Sequence, residues 1–189
     1  MSIDDKFINI LRGRMPQMED FIDEESKNKM EASNALIIAF LFSVIFPKYN
    51  LPFIDIIFED GNPPKPTSNA VHEVMIHVQW DDQRYAYEKS CIKVWHEDVW
   101  RDTAGKHSAY TQHVLYILLH ETRHHWQHIN KMIGDRPATF EEIKDSKAER
   151  EKDASKWARE VLEEHVHEFI EFANKRGFEI VANKQGREE

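Results

Sequence analysis

From Ala35 to Phe46 the chain is apolar at every position but Ser43, and Pro47 closes the run. Such a stretch reads as a buried helix beginning near Lys29 and ending at Phe46, too short for the roughly 20 apolar residues that cross a bilayer. Before it, Phe7, Ile8, Leu11, Met15, Met18 and Phe21 recur at intervals of one, three and four residues, which predicts one or two amphipathic helices over Asp4–Asn28. After Pro52 the period changes. Phe53–Phe58 reads as a short strand, and Val74, Ile76, Val78 and Trp80 alternate with Met75, His77 and Gln79 as in a half-buried strand. Asp81–Arg84 reads as a turn, and Ser90–Trp95 as a third strand.

Beyond Gly105 the helical period returns. Ser108 is placed to cap a helix to about Met132, with Gly134 beyond its end. Thr139 and Glu142 have capping-box spacing and predict one long helix from Phe140 to about Lys175, closed by Gly177. The pattern therefore predicts an α+β fold in a single domain over 1–189: a helical part to residue 50, a small, mostly antiparallel sheet over 51–100, two long helices over 108–175 and a frayed tail from 181. A chain of 189 residues with 41% hydrophobic composition can fill one such core.

Charge narrows the partners. A net charge of −9 lacks the Lys and Arg excess with which proteins displace phosphate counterions, so nucleic acid is not an expected partner. Cys91 is the sole cysteine, and Met1–Lys6 lacks the layout of a signal peptide, so the expected setting is the reducing cytoplasm, with no membrane partner.

The candidate chemistry lies in LLHETRHHWQH, residues 118–128. His120-Glu121-Thr122-Arg123-His124 is an HExxH pattern, and on a helix two residues four apart share a face, so both imidazoles can reach one ion. Glu121 falls beside them, where it can handle a water's proton without ligating. In helical projection His113, His120, His124 and His128 share one side, while Leu115, Leu118, Leu119, Trp126 and Ile129 take the other. His-rich solvated faces look the same, so a third donor must decide. In the last long helix Ile143, Ala148, Ala154, Ala158, Val161, Leu162 and Phe169 form an apolar stripe with Glu151 inside it. A carboxylate there needs a cation, either a metal ion or a buried partner such as Arg123. Glu149 and Asp153, which project away from the stripe, are the fallback ligands.

HExxH followed by Glu151-Lys152-Asp153-Ala154-Ser155-Lys156-Trp157-Ala158 resembles the gluzincin class of zinc metallopeptidases, above all its minimal, ImmA/IrrE-like forms. Their glutamate helix reads Glu, two residues, Ala, Asn or Asp, one residue, an aromatic, Ala. Ser155 departs from the pattern, standing where an Asn or Asp usually holds a ligand histidine. The resemblance covers about a quarter of the chain. It implies a zincin-like fold, zinc held by His120, His124 and Glu151, and an edge strand, here Ser90–Trp95, that receives an extended protein or peptide substrate. It also implies Glu121 as general base for metal-assisted peptide hydrolysis, and an oxyanion-stabilising Tyr or His among Tyr110, His113 and His165.

His165 lies about 20 Å along its helix from Glu151, too far to share an ion, and is expected as a core histidine. His128 is expected on the rim and His125 away from the ligand face. His77 and His96 sit on strand faces, and Trp80, Trp95 and Trp100 are expected in the core. Two other functions fit the same residues. One is a catalytically inactive zinc-binding regulatory or interaction protein on this scaffold, and the other a metal-free binding protein with incidental histidines.

Overall fold

A computed structural model describes the backbone of residues 22–61, 69–80 and 84–180, with side chains except at 74–80, 84–89, 140, 143 and 144. Most of the amphipathic segment expected over Asp4–Asn28, the Asp81–Gln83 part of the expected turn and the tail from Val181 lie outside the described residues.

Helix α1 (Glu24–Phe40) begins where the Asp23 carboxylate accepts the Ser26 N–H at 2.7 Å, with Glu24 and Glu25 favourably placed against the helix dipole. It does not stop before Pro47. A π-helical turn over Leu41–Ile45 hands the Phe46 N–H to the Leu41 carbonyl, and Pro47 then falls in the opening turn of α2 (Phe46–Tyr49), where a missing N–H is tolerated. Asn50 ends the rod in the left-handed region, φ 48°. The Glu24–Tyr49 rod is therefore longer than the apolar run alone predicts. By length and composition it could cross a membrane, with a mean hydropathy of 1.7, but half of that window is buried inside the protein, as in an ordinary core helix. Met30, Ile37, Phe40 and Leu41 are wholly buried there.

The three strands are β1 (Asp55–Glu59), β2 (Ala70–Trp80) and β3 (Arg84–Trp95), in the order β1-β3-β2. β1 runs parallel to β3, with Asp55 opposite Cys91, and β2 runs antiparallel to it, with Ala70 opposite Val94. The sheet is mixed rather than mostly antiparallel. Ser90–Trp95, expected at an edge, belongs to the central strand. Cys91 and Ile92 point to opposite faces and both are fully buried, so both faces of β3 are covered at that point. The edge that meets the long helices is β2. Part of the region expected as sheet is instead helix α3 (His96–Asp102), supported by Glu97 and Asp98 in its first turn, both of which accept hydrogen bonds from Arg101 in its last.

Helix α4 (His107–Asn130) closes on Lys131 at φ 53°. A small hairpin follows, β4 (Met132–Ile133) and β5 (Arg136–Pro137), turning through Gly134 at φ 58°. The Thr139–Glu142 capping box forms and opens α5 (Phe140–Asp145). The expected single helix is divided here: Ser146, at φ −86° and ψ 45°, separates α5 from α6 (Lys147–Asn174). Asp and Ser side chains compete for nearby backbone groups, which favours a break at Asp145-Ser146. Leu115, Leu118 and Leu119 of α4 share one core with Ala158, Val161 and Phe169 of α6. Each buried leucine contributes about 1.5–3 kcal/mol, and the small Ala154 and Ala158 let the two backbones approach. That packing brings the start of α6 against the middle of α4.

Candidate metal centre

Three donor atoms meet where α4 and α6 cross. His120 Nε2 and His124 Nε2 are 3.0 Å apart, and Glu151 Oε2 lies 3.2 Å from the first and 3.4 Å from the second. Among the described residues this group could hold a metal ion. The geometry fits one: a tetrahedral zinc with bonds of about 2.0–2.1 Å keeps its ligand atoms roughly 3.3–3.4 Å from each other. Burial makes charging His120 unfavourable and lowers its pKa, which leaves a neutral ring ready to ligate. Burial also works to raise the Glu151 carboxyl, but His124 and His120 outweigh it and hold the group below its ordinary range. Glu151 departs from the sequence expectation in one respect. Its side chain is 47% exposed, because the apolar stripe of α6 begins at Ala154 and the preceding turn opens onto a cleft.

The residues around the triangle hold it in shape. Gln127 Nε2 donates to Asp153 Oδ2 at 2.8 Å and to the Arg150 carbonyl at 3.1 Å, so its Oε1 is the atom left for His124 Nδ1, 2.9 Å away. His124 must therefore carry its proton on Nδ1 and turn the Nε2 lone pair toward the other donors. Asp153 is itself held by Arg123 through two hydrogen bonds of 2.8 and 3.2 Å, which spends both of its oxygens away from the cluster. It is thus no fallback ligand, and the buried partner weighed for Glu151 belongs to Asp153 instead. Glu149 is exposed and reaches Arg136 at 3.5 Å. Ser155 Oγ lies 3.3 Å from His120 Nδ1, filling with a hydroxyl the place where the resembled pattern has Asn or Asp. Partners of ligating histidines commonly change metal affinity about 10- to 100-fold. Gln127→Ala is expected to weaken zinc binding by that factor, measured by competition with a chromophoric chelator, while helicity by circular dichroism stays unchanged.

Glu121 stands beside the triangle and outside it. Its Oε2 accepts the His72 backbone N–H at 2.8 Å, a bond that crosses from α4 to the outer edge of β2. Strand parity explains the contact. Asn69 offers its carbonyl to Trp95 on β3, so three residues on, His72 turns its N–H outward. Burial raises the Glu121 pKa, and His124 and the His72 N–H only partly offset it. The carboxyl therefore holds a proton more readily than an ordinary glutamate does.

The other sequence candidates scatter. Tyr110 is wholly buried and donates its hydroxyl to Asn34 at 2.8 Å, so it belongs to the core. His165 is buried on α6 between Tyr49, Lys48 and Glu168, remote from the donors as expected. His128 and the buried His125 both face His72, with ring centroids 6.1 and 5.3 Å from it. Burial first, then these neighbouring rings, hold the His72 pKa down to about 3. His96 is buried in α3, bonded to Asn34 and Asp60 rather than on a strand face. Only His113 of the four rim candidates lines the cleft, a cavity of about 1010 Å³ shared with His120, Glu121, His124 and Glu151. Tyr116, one turn before His120 and with its ring centroid 6.4 Å from that histidine, lines it too. Sequence reasoning missed Tyr116, although its i, i+4 spacing from His120 was available. It also missed Gln127, three positions past His124, and the His72 N–H, a backbone group that no residue type announces.

No family model matches the chain, and neither a curated protein nor a solved structure matches it.

Proposed function

We propose that the chain is a zinc-dependent hydrolase of peptide bonds on a zincin-like scaffold, with His120, His124 and Glu151 as ligands and Glu121 as general base. One observation carries this reading: three donors converge within 3.0–3.4 Å while a fourth group, the half-buried carboxyl of Glu121, stands beside them and is not one of them. A purely structural zinc site needs no such neighbour, and its ligands usually number four. Two imidazoles and a carboxylate suit zinc better than softer or harder ions. A zinc ion there would supply Lewis acidity, polarising a carbonyl and bringing the pKa of a water toward about 7.

The chain's own residues divide the remaining work. Glu121 takes the proton of the attacking water, and the His72 N–H keeps its carboxylate oriented meanwhile. As the carbon–nitrogen bond breaks, Glu121 returns that proton to the leaving amine. Negative charge building on the carbonyl oxygen needs a donor in the cleft, and the Tyr116 hydroxyl is the closest side chain of that kind to His120 on α4. His113 sits two turns before His120, about 10 Å along the helix axis, too far for this role.

Tag-free, zinc-loaded chain incubated with an internally quenched peptide library is expected to release fluorescence, and a chelator is expected to stop it. Tyr116→Phe should then lower kcat about 100- to 1000-fold with KM little changed, as for loss of one oxyanion donor. A KM effect alone would remove Tyr116 from the transition state.

A further inference from the structure

The cleft has two electrically different ends. Lys147 and Arg150 stand at the end formed by the first turns of α6, beside Glu151. Asp102, at the C-terminus of α3, stands at the other end with Asn69, His113, Trp95 and Tyr116. The Asn69 amide donates to Asp102 Oδ2 at 2.7 Å and fixes the carboxylate there. Arg101, the adjacent cation, is turned to Asp98 and Glu97, and among the described residues Asp102 has no ion-pair partner. His113 does not neutralise it, since burial lowers that ring's pKa more than Asp102 raises it.

Two independent rulers place this end. His113 precedes His120 by seven residues, about 10 Å of helix, and Asn69 precedes His72 by three, about 10 Å of strand. The first runs from the ligand His120 and the second from His72, the Glu121 contact, and Asn69 carries the second on to Asp102. An extended peptide advances about 3.3 Å per residue, so 10 Å is some three residues from the reacting carbonyl, or two plus the reach of a long side chain. A carboxylate fixed by an amide, without an ion-pair partner among the described residues and flanked by aromatic walls, is the chemistry that receives a guanidinium or ammonium group.

Resting on the hydrolase reading, we infer that Asp102 is a specificity-determining residue that selects peptide substrates with Arg or Lys two or three residues from the scissile bond, on one side only. Asp102 is exposed, so the discrimination is modest, roughly fivefold to tenfold for Arg over Glu.

The test uses an equimolar mixture of acetylated, amidated decapeptides randomised one position at a time, in two arms. In the first, zinc-loaded parent chain cleaves the mixture and the cut sites are read by mass spectrometry. In the second, zinc-loaded Glu121→Gln retains peptides from the same mixture through a spin filter, so that binding is read without turnover. Enrichment of Arg and Lys in both arms, lost in Asp102→Asn and turned to Asp and Glu enrichment in Asp102→Lys, is the expected result. Zinc content unchanged in both Asp102 variants shows that they fold. Basic enrichment that survives Asp102→Asn, cleavage with no basic preference, or no peptide retained overturns the assignment of Asp102. Basic peptides retained by a parent chain that cuts none would keep the assignment and sink the hydrolase reading instead.

Discussion

Glu151→Ala and His124→Ala are each expected to lower zinc affinity about 10²- to 10⁴-fold, so that tag-free protein carrying near-stoichiometric zinc becomes metal-poor by elemental mass spectrometry. The size follows from sharing a binding free energy of about 10–16 kcal/mol among three protein ligands, or about 3–5 kcal/mol each. The two variants probe different environments. Glu151 is half exposed, so its removal leaves no cavity and the helix should stay intact, whereas His124 is 5% exposed and tied to Gln127. Loss of metal from both with unchanged helicity isolates ligation from folding. A parent chain that stays metal-free through a zinc titration would leave the histidines as incidental and remove the enzyme proposal with them.

The second large effect is expected at Glu121. Glu121→Gln keeps the shape of the side chain and an oxygen to accept the His72 N–H, but it cannot take up a proton at neutral pH. Peptide hydrolysis should fall about 10²- to 10⁴-fold in kcat with zinc content unchanged, read by fluorescence release beside elemental analysis. The same variant separates the hydrolase from a zinc-binding regulatory protein on this scaffold. If a biological effect of the parent chain survives Glu121→Gln in full, the carboxyl does no chemistry and the regulatory reading replaces the catalytic one.

How far these residues were legible in the sequence depended on whether the signal was local. His120 and His124 follow from helical spacing, and the apolar face of α4 is buried at Leu115, Leu118 and Leu119 as the projection predicts, but Ile129 on that face is 50% exposed. Glu151 was found for a partly mistaken reason, since the stripe that was to bury it starts one turn later. Strand order was not legible, because periodicity tells which face of a strand is covered and not which strand lies beside it. The run Cys91-Ile92 did hold a clue, as adjacent apolar residues suit a strand covered on both faces. Pro47 misled by residue type: a proline stops a helix only where its N–H is needed, and the π turn before it removes that need. The hydrogen bonds that orient the site, Gln127 to His124 and His72 to Glu121, arise from tertiary placement and leave little local trace.

The His72–Glu121 contact has a bearing on solubility. β2 is an outer strand laid along an open cleft, and such an edge invites pairing with any extended chain, including another copy in a crowded or partly unfolded state. The carboxylate of Glu121 occupies the outward N–H at His72 and places an acid against the very stretch another strand would have to zip along. The residue proposed as general base is therefore also placed to block strand addition at His72.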